Sequence, residues 1–229
     1  MKKMKKLNKI EGEAKMEVLE LKPVKNKQVW VFLIKKQDNK LTEDQRLILN
    51  TLIETYNFKF ATISLENVEL THFKHTELGS FLGDIMLPCY NVDIAEYAKA
   101  HLDLEITEQK TEISELESAY NSLADKQSSK AESMKSWIDY LKGERSENVE
   151  FLNTKLKSQW IVKKILDIIR YYEDSLYYEN TLYVVHFTPE KLVLNIKEIL
   201  EELGVSVIVG TIKVNLLVPS QLITAGGIN

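Results

Sequence analysis

The sequence contains a single cysteine, Cys89, among 229 residues. One thiol excludes a disulfide within the chain and a zinc site built from several cysteines of the same chain. This usage fits a reducing compartment, and we expect a cytoplasmic location. A lone cysteine beside Pro88 in a short strand is more typical of a small buried apolar residue than of a nucleophile.

Long apolar runs are also lacking. The longest spans residues 29–34, far short of the roughly 18–20 residues that cross a bilayer, so we expect no transmembrane segment. Its length and its β-branched and aromatic content predict a buried strand. Five lysines lie within residues 2–9 without the apolar stretch of a secretory signal, and we expect residues 1–15 to be a flexible basic tail.

Motifs that define common active sites are missing. The eight glycines form neither G-x-G-x-x-G nor a P-loop, and the chain has no G-x-S-x-G or H-E-x-x-H. The sequence therefore assigns no cofactor and leaves open whether the protein is an enzyme. With a net charge of −4, the chain also lacks the basic excess of a typical nucleic-acid-binding domain, so nucleic acid is the least favoured partner.

Alternating strand and helix patterns occur on both sides of the middle of the chain. Strands are predicted at 16–21, 28–36, 58–65 and 88–92, and again at 181–187, 205–209 and 212–218. Thr42 and Gln45 form a capping box for a helix after the second strand, and Leu78, Phe81, Leu82, Ile85 and Met86 have helical spacing. A later amphipathic run ends at Leu203, and Gly204 follows it in the position of a C′ glycine. Strands joined by such helices are parallel.

The middle of the chain has a different pattern. From residue 93 to 172 there is no proline and one glycine, Gly143. The first arm carries a heptad seam, interrupted by one polar residue, at Leu102, Ile106, Gln109, Ile113, Leu116, Tyr120 and Leu123. Residues 94–124 contain seven acidic and two basic side chains, whereas residues 131–172 contain six acidic and eight basic ones. Opposite charges on consecutive arms favour an antiparallel helical hairpin.

Neither strand-rich half has enough helices to cover its own sheet. We therefore expect one discontinuous α/β domain at 16–93 plus 179–220, a hairpin insertion at 94–178, and a frayed tail at 221–229. The predicted fold class is α/β, with a mostly parallel sheet flanked by helices and interrupted by a long, coiled-coil-like antiparallel helical hairpin.

Polar residues at predicted strand ends give the candidate ligand site. Open α/β sheets bind ligands beyond the carboxyl ends of their strands, where we expect Asn91, Asp93, His186 and Thr188. Asp93 and Thr188 have the residue types and positions of helix N-caps, and two helix N-termini directed at one crevice favour a phosphate or carboxylate ligand.

A metal site is the less favoured alternative. His72, His75, His186 and Asp93 have the chemistry to bind a metal or to transfer protons. We interpret the first two as loop residues and predict no metal.

Two functions remain in competition. The heptad arm favours an interaction or regulatory protein that uses its hairpin for self-association, as a homo-oligomer, or for binding a protein partner. The α/β architecture favours the alternative, an enzyme or small-anion-binding protein with its site at the carboxyl ends of the strands.

Overall fold

The computed structural model describes residues 28–36, 40–41, 43–65, 70–175 and 181–211. The predicted strands at 16–21 and 212–218, both tails and the cap at Thr42 lie outside the described residues. Helices and strands follow in this order: β1 (Gln28–Lys36), α1 (Glu43–Tyr56), β2 (Phe60–Ile63), α2 (Leu70–Phe73), α3 (Glu77–Asp84), β3 (Cys89–Asn91), α4 (Glu96–Ser122), α5 (Ser129–Phe151), a π-helical segment (Leu152–Leu156), α6 (Lys157–Ser175), β4 (Thr181–Pro189), α7 (Glu190–Glu202) and β5 (Ser206–Thr211).

The five described strands form one sheet in which all neighbours are parallel, in the order β3-β2-β4-β1-β5. This confirms the α/β class and the joining of strands from both sides of the hairpin. β1 and β2 are parallel, as their connection predicts, but they are not neighbours. β4 lies between them and pairs His186 with Leu33 on one side and with Thr62 on the other.

Both faces of the sheet are covered by helices. On one face, Val31, Leu33 and Val184 pack against apolar residues of α6 and α7. On the other, Phe32 and Ile34 pack against residues of α1 and α3. Burial on both sides explains why β1 reads as an unbroken apolar run, the pattern expected for a strand inside a parallel sheet.

The predicted hairpin is present between β3 and β4. Trp137 of α5 donates a hydrogen bond to Glu112 of α4, and Asn148, further along α5, donates one to Glu105. The residue numbers of the bonded partners decrease along α4 as they increase along α5, so the two helices run antiparallel. The predicted seam residues of α4 are all buried or half-buried, including Gln109.

The second arm does not end where α5 ends. The chain continues through the π-helical segment into α6, whose residues Ile161, Ile165 and Ile169 belong to the core on the sheet. Trp160, near the start of α6, is also buried, whereas Trp137 on α5 is exposed.

Two local predictions for helix ends have different outcomes. α7 ends at Glu202, and Gly204 (φ 82°) is its C′ residue, as predicted; Val205 N–H donates to Leu200 O at 3.0 Å in a Schellman motif. In contrast, α3 ends at Asp84, two residues before Met86, which has φ 53° and is exposed. Within the described ranges, no helix has the length and apolar character needed to cross a membrane.

Candidate functional site

Four fully buried polar residues lie on one face of the sheet, towards its carboxyl edge: Thr62, Ser64, His186 and Thr188. Side chains two residues apart along a strand point to the same side. Phe60 and Val184, which precede these residues on β2 and β4 at that spacing, belong to the core under α6 and α7. This face therefore changes from apolar to polar as it approaches the ends of its strands.

His186 is the most central of these residues. Its Nδ1 lies 2.9 Å from Thr62 Oγ1 in a shared hydrogen bond, and its Nε2 has no hydrogen-bond partner among the described protein atoms. Burial lowers the pKa of His186 to about 3, with a smaller lowering from the charge of Lys36. The imidazole is therefore neutral at physiological pH, and so low a pKa makes it a weak general base.

Asp93 has a structural role that differs from the predicted helix cap. The Ser64 hydroxyl donates to its Oδ1 at 2.5 Å, and the Leu65 N–H donates to its Oδ2 at 2.7 Å. The N-cap of α4 is Ala95, which makes no side-chain capping bond. The capping prediction for Asp93 is wrong because its carboxylate instead ties the chain after β3 to the chain after β2.

Thr188 does not cap a helix either. β4 continues through Pro189, which pairs with Lys36 of β1 and is itself the N-cap of α7. Strand pairing keeps Thr188 extended with its side chain in the interior, where its hydroxyl has no hydrogen-bond partner among the described protein atoms. The start of α7 is occupied by Glu190, which pairs with Lys35 at 2.9 Å. The two-cap arrangement that suggested an anion is therefore absent.

Ser158 is a buried polar residue that sequence reasoning missed. It is fully buried near the start of α6, and its hydroxyl has no hydrogen-bond partner among the described protein atoms. Its spacing from Ile161 and Ile165 puts it on the side of α6 that packs on the sheet. That spacing is the only signal in the sequence that could have indicated its position.

The predicted ligand residues lie along one edge but on strands that are not neighbours. Asn91 is exposed, and its Oδ1 accepts a hydrogen bond from the Asp93 N–H at 3.0 Å. His186 and Thr188 are on β4, and β2 separates that strand from β3. Two strand spacings correspond to about 9–10 Å. That these four residues bind a ligand stays a prediction.

The remaining histidines and the cysteine are not part of this polar group. His72 lies in α2 and not in a loop as predicted, and both His72 and His75 are exposed, whereas His186 is fully buried. In the part of the chain that the structure describes, no group of three or more His, Cys, Asp or Glu side chains is arranged to hold a metal ion. Burial raises the pKa of Cys89 to about 12, so its thiol stays protonated and is a poor nucleophile.

Known proteins give no guide to this site: the chain matches no protein-family model, no curated protein and no solved structure.

Proposed function

We propose that this chain is an interaction protein whose helical hairpin binds a second copy of the chain. The observation that carries the proposal is an exposed aromatic pair on α5. The rings of Trp137 and Tyr140 stack with their centroids 5.1 Å apart and their planes 17° apart. Their side chains are 47% and 55% exposed. Exposed Trp and Tyr are the residues most enriched among those that dominate the affinity of protein interfaces.

The hairpin does not need this pair for its own packing. Its seam is filled by a separate cluster formed by Ile113, Ile138 and Leu141, with Leu116, Tyr120 and Met134 around it. The Trp137 Nε1 also donates a hydrogen bond to Glu112 of α4, which leaves the faces of its ring outside that contact. The two rings therefore remain available for a surface outside the hairpin.

Symmetry favours a second copy as the partner. In a two-fold dimer the same surface of both copies forms the contact, so the aromatic pair of one copy packs on the aromatic pair of the other. Helix α5 carries five acidic and four basic side chains, so two copies of it approach each other with little net charge repulsion. Another protein with a complementary helical surface is the alternative partner.

Sedimentation velocity of the full chain between about 1 and 100 μM tests the proposal. We expect a concentration-dependent dimer that Trp137→Glu shifts to monomer, because a carboxylate replaces the stacked ring. Leu194→Glu is the matched control, since Leu194 is 70% exposed on α7, outside the hairpin. A wild-type chain that stays monomeric over this range would contradict the proposal, as would equal effects of both variants.

The second candidate is a ligand-binding protein with its site at the polar edge of the sheet. It is favoured by the fully buried residues Ser158, His186 and Thr188, which a purely structural core would more often replace by apolar ones. For either function we propose a cytoplasmic location, on the basis of the single cysteine.

A further inference from the structure

Three fully buried residues each have a polar atom without a hydrogen-bond partner among the described protein atoms: Ser158 Oγ, His186 Nε2 and Thr188 Oγ1. Native proteins pair almost all buried polar groups, because an unpaired group loses its hydration without compensation. One such atom is unremarkable. Three at one end of one core layer indicate that they share an unidentified partner.

The three atoms belong to the same end of the fold. His186 and Thr188 project from the same side of β4, two residues apart. α6 passes over this face with its start at the carboxyl edge: Trp160 Nε1 donates to Asp93 O, after the end of β3, at 2.9 Å. Near the other end of the helix, Tyr172 stacks on Phe60, the first residue of β2, at 4.8 Å. Ser158 therefore lies over the carboxyl end of the sheet.

The backbone above this group is irregular. The π-helical segment Leu152–Leu156 ends two residues before Ser158 and also contacts α7. A π-helical turn is wider than an α-helical turn, because its backbone hydrogen bonds join residues five apart and not four. Such turns occur frequently at functional sites. It lies where the hairpin joins the α/β body, immediately before the helix that carries Ser158.

We propose that Ser158, His186 and Thr188 form a closed binding site, between the start of α6 and the end of β4, for a small uncharged hydrogen-bonding molecule. Two sources share this chemistry: internal water, and a solute of similar size with a hydroxyl or amide group. Each hydroxyl both donates and accepts, and the imidazole Nε2 does one or the other according to its tautomer. The site therefore recognises hydrogen bonds and carries no formal charge.

The neighbouring charges disfavour ions. The Asp93 carboxylate already accepts from Ser64 and Leu65, and Lys35 is paired with Glu190. A phosphate would lack a buried cation, because Lys36, whose charge acts on His186, is only half-buried. A metal ion would lack a carboxylate or thiolate ligand among the three residues. The anion predicted from the sequence is therefore tested as the competing occupant.

Solvent-exchange NMR on the labelled full chain tests the site. We expect nuclear Overhauser peaks between the His186 ring protons and a bound molecule whose residence time exceeds a nanosecond. Thr188→Val, which keeps the side-chain shape, should remove these peaks and lower the melting temperature, and Ser158→Ala should do the same. Thr111→Val is the control, because Thr111 is exposed on α4 and its hydroxyl bonds Thr107 O.

Native mass spectrometry separates the two sources. A bound mass that is lost in Thr188→Val identifies a solute, whereas Overhauser peaks at the water frequency without a bound mass identify water. Either result supports the site. Absence of Overhauser peaks together with a higher melting temperature for Thr188→Val would show that the atoms are merely unpaired, and would overturn it. Saturable shifts of His186 on titration with inorganic phosphate would overturn the uncharged assignment.

Discussion

Thr62 and His186 lie 124 residues apart in the chain and face each other on adjacent parallel strands, with Oγ1 and Nδ1 separated by 2.9 Å. The whole helical hairpin is inserted between them in the sequence. This pair joins the two halves of the sheet in its interior and holds the imidazole in one orientation. Because the imidazole is also fully buried, its protonation is linked to the stability of the fold.

Acid should destabilise the protein through His186. Its pKa is about 3 in the folded chain and about 6.5 in the unfolded chain, so between these values the unfolded chain binds more protons. Stability is therefore present above pH 6.5 and falls by up to about 1.4 kcal/mol for each pH unit below it. Urea unfolding at pH 5.0–6.5 measures this slope, before most carboxylates titrate.

His186→Gln should flatten the dependence in that window, because a neutral amide does not titrate. His75→Gln is the matched control, since His75 is exposed. Equal slopes for the wild type and His186→Gln would show that His186 does not govern acid stability.

Gln109 should limit the stability of the hairpin. It is 8% exposed in the seam, and its Oε1 accepts a 3.4 Å hydrogen bond from Asn148, which also donates to Glu105. Burying leucine there contributes about 1.5–3 kcal/mol, and the lost hydrogen bond offsets about 0.5–1.5 kcal/mol of that gain. Gln109→Leu should therefore raise the free energy of unfolding by about 1 kcal/mol.

Chemical denaturation followed by circular dichroism measures that difference. Glu108→Leu places the same side chain on the exposed side of α4 and should change stability by less than about 0.5 kcal/mol. If both variants have the same free energy of unfolding as the wild type, the prediction that Gln109 limits the stability of the hairpin is wrong.

Gly79 should be essential for packing, whereas Gly83, on the same helix, should not. A Cβ on Gly79 would lie 2.0 Å from the backbone oxygen of Phe73, and a Cβ on Gly83 would meet nothing within 4 Å. Gly79→Ala should destabilise the fold by about 1–3 kcal/mol, because the backbones of α2 and α3 must separate. Gly83→Ala should stabilise it by about 0.5–1 kcal/mol through its helix propensity.

Thermal unfolding of the two variants side by side provides the comparison. The opposite order of stabilities, or two equal midpoints, would contradict the close approach of α3 to Phe73.

The amino-terminal half should not fold alone. β4 occupies the position between β1 and β2, which do not pair with each other. A fragment of residues 1–92 therefore leaves long edges of both strands without partners and exposes the apolar face that α6 and α7 cover. We expect an aggregated or unfolded product by size-exclusion chromatography and circular dichroism, with the full chain as control. A monomeric fragment that unfolds cooperatively would disprove this expectation.

Features that depend on neighbouring residues were predictable from the sequence alone. Heptad spacing in α4 identified a seam that includes Gln109, and a glycine after an amphipathic run identified Gly204 as the C′ residue of α7. An unbroken apolar strand predicted a sheet covered on both faces. These features follow from periodicity and backbone conformation, which act over a few residues.

Features that depend on contacts between distant segments were not predictable in this way. The insertion of β4 between β1 and β2 depends on pairing between distant segments, and no local pattern records a strand's neighbours. Asp93 and Thr188 have the residue types of helix caps. The Asp93 carboxylate instead accepts a hydrogen bond from the chain after β2, and pairing with β1 keeps Thr188 in a strand. Ser158 joins the polar edge because α6 packs across the sheet, and a serine between Lys157 and Gln159 does not reveal that contact.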